Sequence, residues 1–148
     1  MCIRDRYKNI THTGALGQSL AFSDIDFPLF RLAEQYLIYA EATLNGGAGG
    51  STAQALAYVN LLRARAGATP LASIALQDVL NERGRELYWE GFRRTDLIRN
   101  NQFVEGTYLW PWKGGVQSGT PVASFRKLFP IPSADISSNV NLTQNTGY

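Results

Sequence analysis

The sequence predicts an all-α fold: tetratricopeptide-like helix hairpins followed by a long irregular C-terminal wrap. Three observations carry this. Apolar residues recur at helical spacing from Leu29 to Leu44 and again from Ala55 to Ala66. A Gly-rich link joins the two runs, as in an antiparallel helix pair. From Asn100 onward, Gly, Pro and Ser interrupt every period.

The chain has 148 residues, enough for one domain with a core. Its 45% apolar and 18% charged residues place it among globular rather than disordered chains. A formal net charge of +2, with no Lys/Arg cluster, excludes a nucleic-acid footprint. No apolar run approaches the roughly 20 residues of a membrane-spanning helix. The single cysteine, Cys2, allows no internal disulfide.

Residues 1–6 read as translated sequencing adapter rather than protein sequence. Residues 7–23 are polar and Gly/Thr-rich, an extended lead-in. The segment from Asp24 to Pro28 supplies a helix start, with Asp26 as cap and Pro28 in the first turn. The stripe Leu29, Leu32, Ala33, Tyr36, Leu37, Ala40 and Leu44 faces inward. Gly46 to Gly50 ends the helix. Ser51 and Gln54 form a capping-box pattern that opens the second helix. Ala55, Val59, Leu62 and Ala66 line its inner face, and Gly67 and Pro70 end it. The third helix spans Ser73 to Glu90, with Leu76, Val79, Leu80 and Leu87 inward. Gly91 breaks it, and a short fourth helix carries Asp96 to Arg99. The remainder to Tyr148 is too long to be structureless and should wrap the helices, pinned by its aromatics. In that wrap Phe129 is expected inside.

The third helix carries charges of both signs among large side chains. Glu82, Glu86 and Glu90 repeat every four residues; Arg83 lies three before Glu86 and Arg93 three after Glu90. With Asp96 and Arg99, these residues read as a half-buried structural ion-pair network, which must be paired to be tolerated. General acid/base chemistry is the competing reading, since two carboxyls about 5 to 10 Å apart are what a glycosidase needs. An adjacent arginine, however, favours the charged carboxylate over the protonated acid.

Tyr108, Trp110 and Trp112 alternate in a loop with Pro111, Gly114 and Gly115. Such rings either stack on sugars or plug the loop onto the core, and the plug is the preferred reading. They remain the candidate ligand-binding residues of this chain. His12 and Cys2 compose no metal site, and Gly46 to Gly50 lacks the Lys-Ser/Thr of a phosphate loop. No metal and no cofactor is expected.

Five blocks carry a family resemblance. They are Arg31-Leu32-Ala33-Glu34-Gln35-Tyr36-Leu37-Ile38-Tyr39-Ala40-Glu41-Ala42, then Asn60-Leu61-Leu62-Arg63-Ala64-Arg65-Ala66-Gly67, then Glu82 to Arg99. The last two are Leu128-Phe129-Pro130-Ile131-Pro132 and Gln144-Asn145-Thr146-Gly147-Tyr148. In this order they resemble the C-terminal part of SusD/RagB proteins, with Thr146 where the family usually has Pro. Family members are several times longer, so the resemblance implies that residues 24–148 are a C-terminal domain fragment. It also implies a lipid-anchored protein on the outer face of a bacterial outer membrane. Such proteins capture oligosaccharides and deliver them to a TonB-dependent transporter of the SusC type, without catalysis. In the family the ligand-contacting aromatics lie mostly in portions preceding this segment. The alternative from another class is a helical-repeat scaffold that binds only protein.

Overall fold

The computed structural model describes residues 13–18, 29–104, 106 and 108–148. The adapter-like start, most of the lead-in, the Asp24–Pro28 helix start, Cys2 and His12 lie outside the described residues. The chain divides into two compact units, Met1–Gly91 and Phe92–Tyr148. Among the described residues the elements are helices and 3-10 turns, with no strand.

In the first unit, α1 (Leu32–Leu44), α2 (Thr52–Arg65) and α3 (Leu76–Glu86) pack on one another. Burying every fourth or third residue of α1 and α2 builds the core: Ala33, Leu37 and Ala40 meet Ala55, Val59 and Leu62, and Val79 of α3 joins them. Tyr36 stacks on Tyr58 with centroids 4.4 Å apart, and Tyr39 meets the same ring edge-on at 5.2 Å. The Tyr39 hydroxyl also accepts a hydrogen bond from the Ser51 N–H, 3.0 Å away, at the start of α2. An early α1 residue thus faces the middle of α2, and a later one faces its start. That is the antiparallel hairpin.

Local chemistry sets the ends. Ser51 Oγ accepts the Gln54 N–H at 3.4 Å, which caps α2. The link before it passes so close to α1 that a Cβ at Gly50 would lie 2.4 Å from Thr43 Oγ1. At the start of α3, Asp78 accepts the Ala75 N–H at 2.9 Å. Asn60 of α2 grips the chain leading to α3, exchanging both amide hydrogen bonds with the Leu71 backbone at 2.8 and 3.0 Å.

Three expectations need correction here. Among the described residues α1 begins at Leu32, with Arg31 at its N-cap. Leu29 lies before it and Leu32 opens it, and both are exposed rather than inward. Ala66 caps α2 and is exposed. The third helix is shorter than Ser73–Glu90: Leu87 is its C-cap, and Trp89 and Gly91 have φ of 67° and 81°. Backbone in the left-handed region cannot continue a helix. Of the large residues after Glu86, Leu87 is buried, whereas Tyr88 and Trp89 are exposed.

The second unit contains α4 (Arg93–Arg99), 3-10 turns at Lys113–Gly115 and Ser124–Lys127, and α5 (Ser133–Ser138). The six-residue α5 was not foreseen in the wrap. Phe129 is not inside: it is 68% exposed, with the Arg94 guanidinium 3.9 Å from its ring centroid. The segment is pinned by polar groups instead. Pro130 and Pro132 have no amide hydrogen, so Ile131 owns the only N–H of that triplet. Gln144 accepts it at 2.8 Å and donates back to the Ile131 carbonyl at 2.9 Å. Asn145 donates to the Phe129 carbonyl at 2.7 Å and the Tyr148 hydroxyl to the Leu128 carbonyl at 2.9 Å. Arg94 donates to the carbonyls of Arg126 and Lys127 at 2.7 and 3.1 Å. The last five residues thus clasp the backbone of the Leu128–Pro132 turn.

Candidate functional site

Two groups of residues invite a functional reading, one in each unit. In the first unit the acidic repeat of α3 meets arginines from outside its own helix. Glu82 accepts from Arg63 at 2.9 Å and from Arg85 at 2.7 Å. Glu86 accepts from Arg31 at 3.0 Å and also from Arg65. Glu90 accepts from Arg31 Nε at 2.9 Å. Arg83 approaches Glu41 of α1 at 4.0 Å. The side chains of Glu82, Glu86 and Glu90 are all nearly closed to solvent. Burial would lower the Arg31 pKa, but its hydrogen bonds to Glu90 and Glu86 outweigh this and raise it overall.

Sequence reasoning placed the partners along the helix and missed Arg31, Arg63, Arg65 and Glu41. The signal was present, because Arg63 and Arg65 sit in the last turn of α2 and Arg31 just before α1. Both ends face the acidic stripe once the hairpin closes. The remaining expected members, Arg93, Asp96 and Arg99, belong to the second unit. There Arg99 pairs with buried Asp96 at 2.9 Å, and Arg93 donates to the Tyr108 hydroxyl. Carboxylates that are buried and each held by arginine are suited to fixing helices. The arginine beside each favours the charged carboxylate over the protonated acid that general acid work needs.

The second group is the loop of Tyr108, Trp110 and Trp112. Its centre is Lys113, a cation that is only 2% exposed. Lys113 Nζ donates to the carbonyls of Tyr108 at 2.6 Å and Gln102 at 3.4 Å. It also lies 4.7 Å from the Trp110 ring centroid, a cation–π contact. Tyr108 packs edge-on against Trp110 with centroids 5.5 Å apart. Backbone bonds knot the turn: Trp112 N–H to Val116 O at 3.1 Å, Thr120 N–H to Lys113 O at 3.0 Å, and Gly119 N–H to Val116 O at 2.8 Å. Only glycine fits at position 119, where a Cβ would lie 2.5 Å from the Trp110 carbonyl oxygen.

The plug reading does not describe the two tryptophans. Tyr108 is half-buried, but Trp110 is 40% and Trp112 66% exposed. The residue that plugs this loop is Lys113. No group of three or more His, Cys, Asp or Glu among the described residues is placed to hold a metal. No helix among them is long and apolar enough to cross a membrane.

Comparison with known proteins covers nearly the whole chain. The model of the SusD family matches residues 6–148. Over 144 residues the chain is 42% identical to the starch-binding protein SusD of Bacteroides thetaiotaomicron, spanning 97% of this chain and 25% of that protein. A SusD superfamily protein from Parabacteroides distasonis superposes with a TM-score of 0.71 at 30% identity, over 86% of this chain and 28% of its own. Surface glycan-binding protein A from B. thetaiotaomicron, solved with laminarihexaose, superposes with a TM-score of 0.66 at 28% identity, over 89% and 29%. The chain thus spans about a quarter of the relatives it matches. With its five sequence blocks, its helical architecture and this match in agreement, the chain belongs to the SusD family.

Proposed function

We propose that this chain is part of a cell-surface oligosaccharide-binding protein that captures glycans without cleaving them. One observation supports this above the rest: the 42% identity, over 97% of the chain, to a protein that binds starch. The likeness to a glycan-binding protein solved with a bound hexasaccharide points the same way. In this reading the protein faces outward at the outer membrane, held by a lipid anchor, and passes its ligand to a SusC-type TonB-dependent transporter. The ion pairs of Glu82, Arg83, Glu86 and Glu90, with the Asp96–Arg99 pair and the Arg93–Tyr108 hydrogen bond, serve the fold rather than chemistry. The ligand contacts on this chain are Tyr108, Trp110 and Trp112.

Affinity electrophoresis in gels containing soluble starch or laminarin tests this, alongside an assay for released reducing ends. Retarded migration with no sugar release is the expected result. Release of reducing ends would make the protein a hydrolase. Unretarded migration in both gels would favour the protein-binding scaffold.

A further inference from the structure

Residues 126–129 form one outward-facing edge of the second unit. All four of their backbone carbonyls are taken by the chain itself. Arg94 donates to those of Arg126 and Lys127, the Tyr148 hydroxyl to that of Leu128 and the Asn145 amide to that of Phe129, at 2.7 to 3.1 Å. Pro130 and Pro132 stiffen the turn that follows. A backbone held at every residue keeps its side chains where they stand, and here they stand largely in water. Leu128 is 59% and Phe129 68% exposed, Arg126 is exposed beside them, and Lys127 is half-buried. Arg94 joins the group into one site: it bonds the Arg126 and Lys127 carbonyls while its guanidinium lies 3.9 Å from the Phe129 ring centroid.

Two exposed apolar residues alone are ordinary. The charge around these two is not. No ion pair among the described residues engages Arg94, Arg126 or Lys127. Over residues 106–148 the only acidic side chain is Asp135, and it pairs with none of them. The edge thus offers three positive charges and two large apolar side chains, with no carboxylate bound among them. A free phosphate or sulfate would meet the cations and leave Leu128 and Phe129 in water. A bilayer with anionic headgroups meets both, taking the cations at headgroup level and the apolar side chains at the acyl boundary.

We infer that this edge docks the chain on an anionic lipid surface. Arg126 and Lys127 face phosphate-bearing headgroups, Leu128 and Phe129 enter the acyl boundary, and Arg94 is a positioning residue that holds the edge in shape and adds its charge. The surface shares no residue with the 108–112 loop, and the inference does not rest on glycan binding.

The 148-residue chain is floated through a sucrose gradient with vesicles of pure phosphatidylcholine, or of equimolar phosphatidylcholine and phosphatidylglycerol. Wild type is compared with Leu128→Ser, Phe129→Ser and the double variant Arg126→Gln/Lys127→Gln. Wild type should rise with the anionic vesicles and not with the neutral ones, and added salt should release it. A cation near such a surface is worth about fivefold in partitioning, so the double variant should bind roughly 25-fold more weakly. Leu128→Ser and Phe129→Ser should each weaken binding several-fold, because apolar area no longer leaves water. If circular dichroism shows that Phe129→Ser has unfolded with the loss of its Arg94 contact, Leu128→Ser carries this arm. No flotation of wild type, equal flotation with both vesicles, or full binding by the double variant would overturn the inference. Unchanged binding by Leu128→Ser would also overturn it, by reducing the contact to attraction between charges.

Discussion

The two units hold themselves together by different means. In the first, helices expose a regular face and the core follows from periodicity: Leu37, Val59 and Val79 are fully buried. Its buried charges are matched between helices. In the second, α5 buries no residue, and side chains such as Gln144, Asn145 and Arg94 read the backbone of a distant turn. The lesson concerns what a substitution removes. In the first unit a lost side chain leaves a buried charge or a void. In the second, outside buried Asp96, Leu97 and Lys113, it removes one or two hydrogen bonds in reach of water.

The sharpest test of this contrast is Glu86→Ala. It takes from Arg31 and Arg65 a carboxylate they share; Arg31 keeps Glu90 and Arg65 is half exposed, so the loss should fall below the roughly 3 to 5 kcal/mol of a fully buried broken pair. Urea unfolding should show that loss. Arg85→Ala is the internal control: Arg85 is well exposed, and its pair with Glu82 contributes about 0 to 1 kcal/mol. Equal effects of the two would dissolve the distinction between buried and surface pairs. A smaller loss is expected from Gln144→Ala in the second unit. Two partly buried hydrogen bonds to Ile131 disappear, which costs about 1 to 3 kcal/mol in all. The readout is faster amide exchange at Ile131 with little change at Val59; coupled exchange at both would mean that the units are not independent.

The smallest expected effect is a flat pH response. Because the Arg31 pKa is raised, its contribution is fully present below the ordinary arginine value and is lost only as pH rises through the higher folded value. The stability difference between wild type and Arg31→Gln should therefore stay constant from about pH 6 to about pH 9. A slope in that window would assign the pair to a group that titrates there.

The helix hairpin was legible because its signals are local. Ser51 caps α2 three residues before the N–H it accepts, and Ala55, Val59 and Leu62 repeat at helical spacing. The end of α3 was not, because the four-residue acidic repeat runs on to Glu90 while Trp89 takes a positive φ that no propensity foretells. The arginine partners of the acidic repeat were hidden for another reason. Arg31 lies 55 positions from Glu86, and only the closed hairpin brings it near. Phe129 misled because apolarity was taken as burial, whereas its ring serves as a surface under Arg94. Lys113 was overlooked because a lysine is rarely buried. The cue was its place between two indoles and two glycines.

Glu86 has one more consequence, for the route by which the first unit forms. It receives Arg31 from before α1 on one oxygen and Arg65 from the end of α2 on the other, so both oxygens have an arginine donor only when both have arrived. A chain that has docked one helix and not the other leaves one oxygen of a desolvated carboxylate without its arginine. Such intermediates are penalised relative to both the open chain and the finished unit. The shared carboxylate therefore works as a coincidence requirement: it removes partly assembled states from the population and makes the three helices form and fail together.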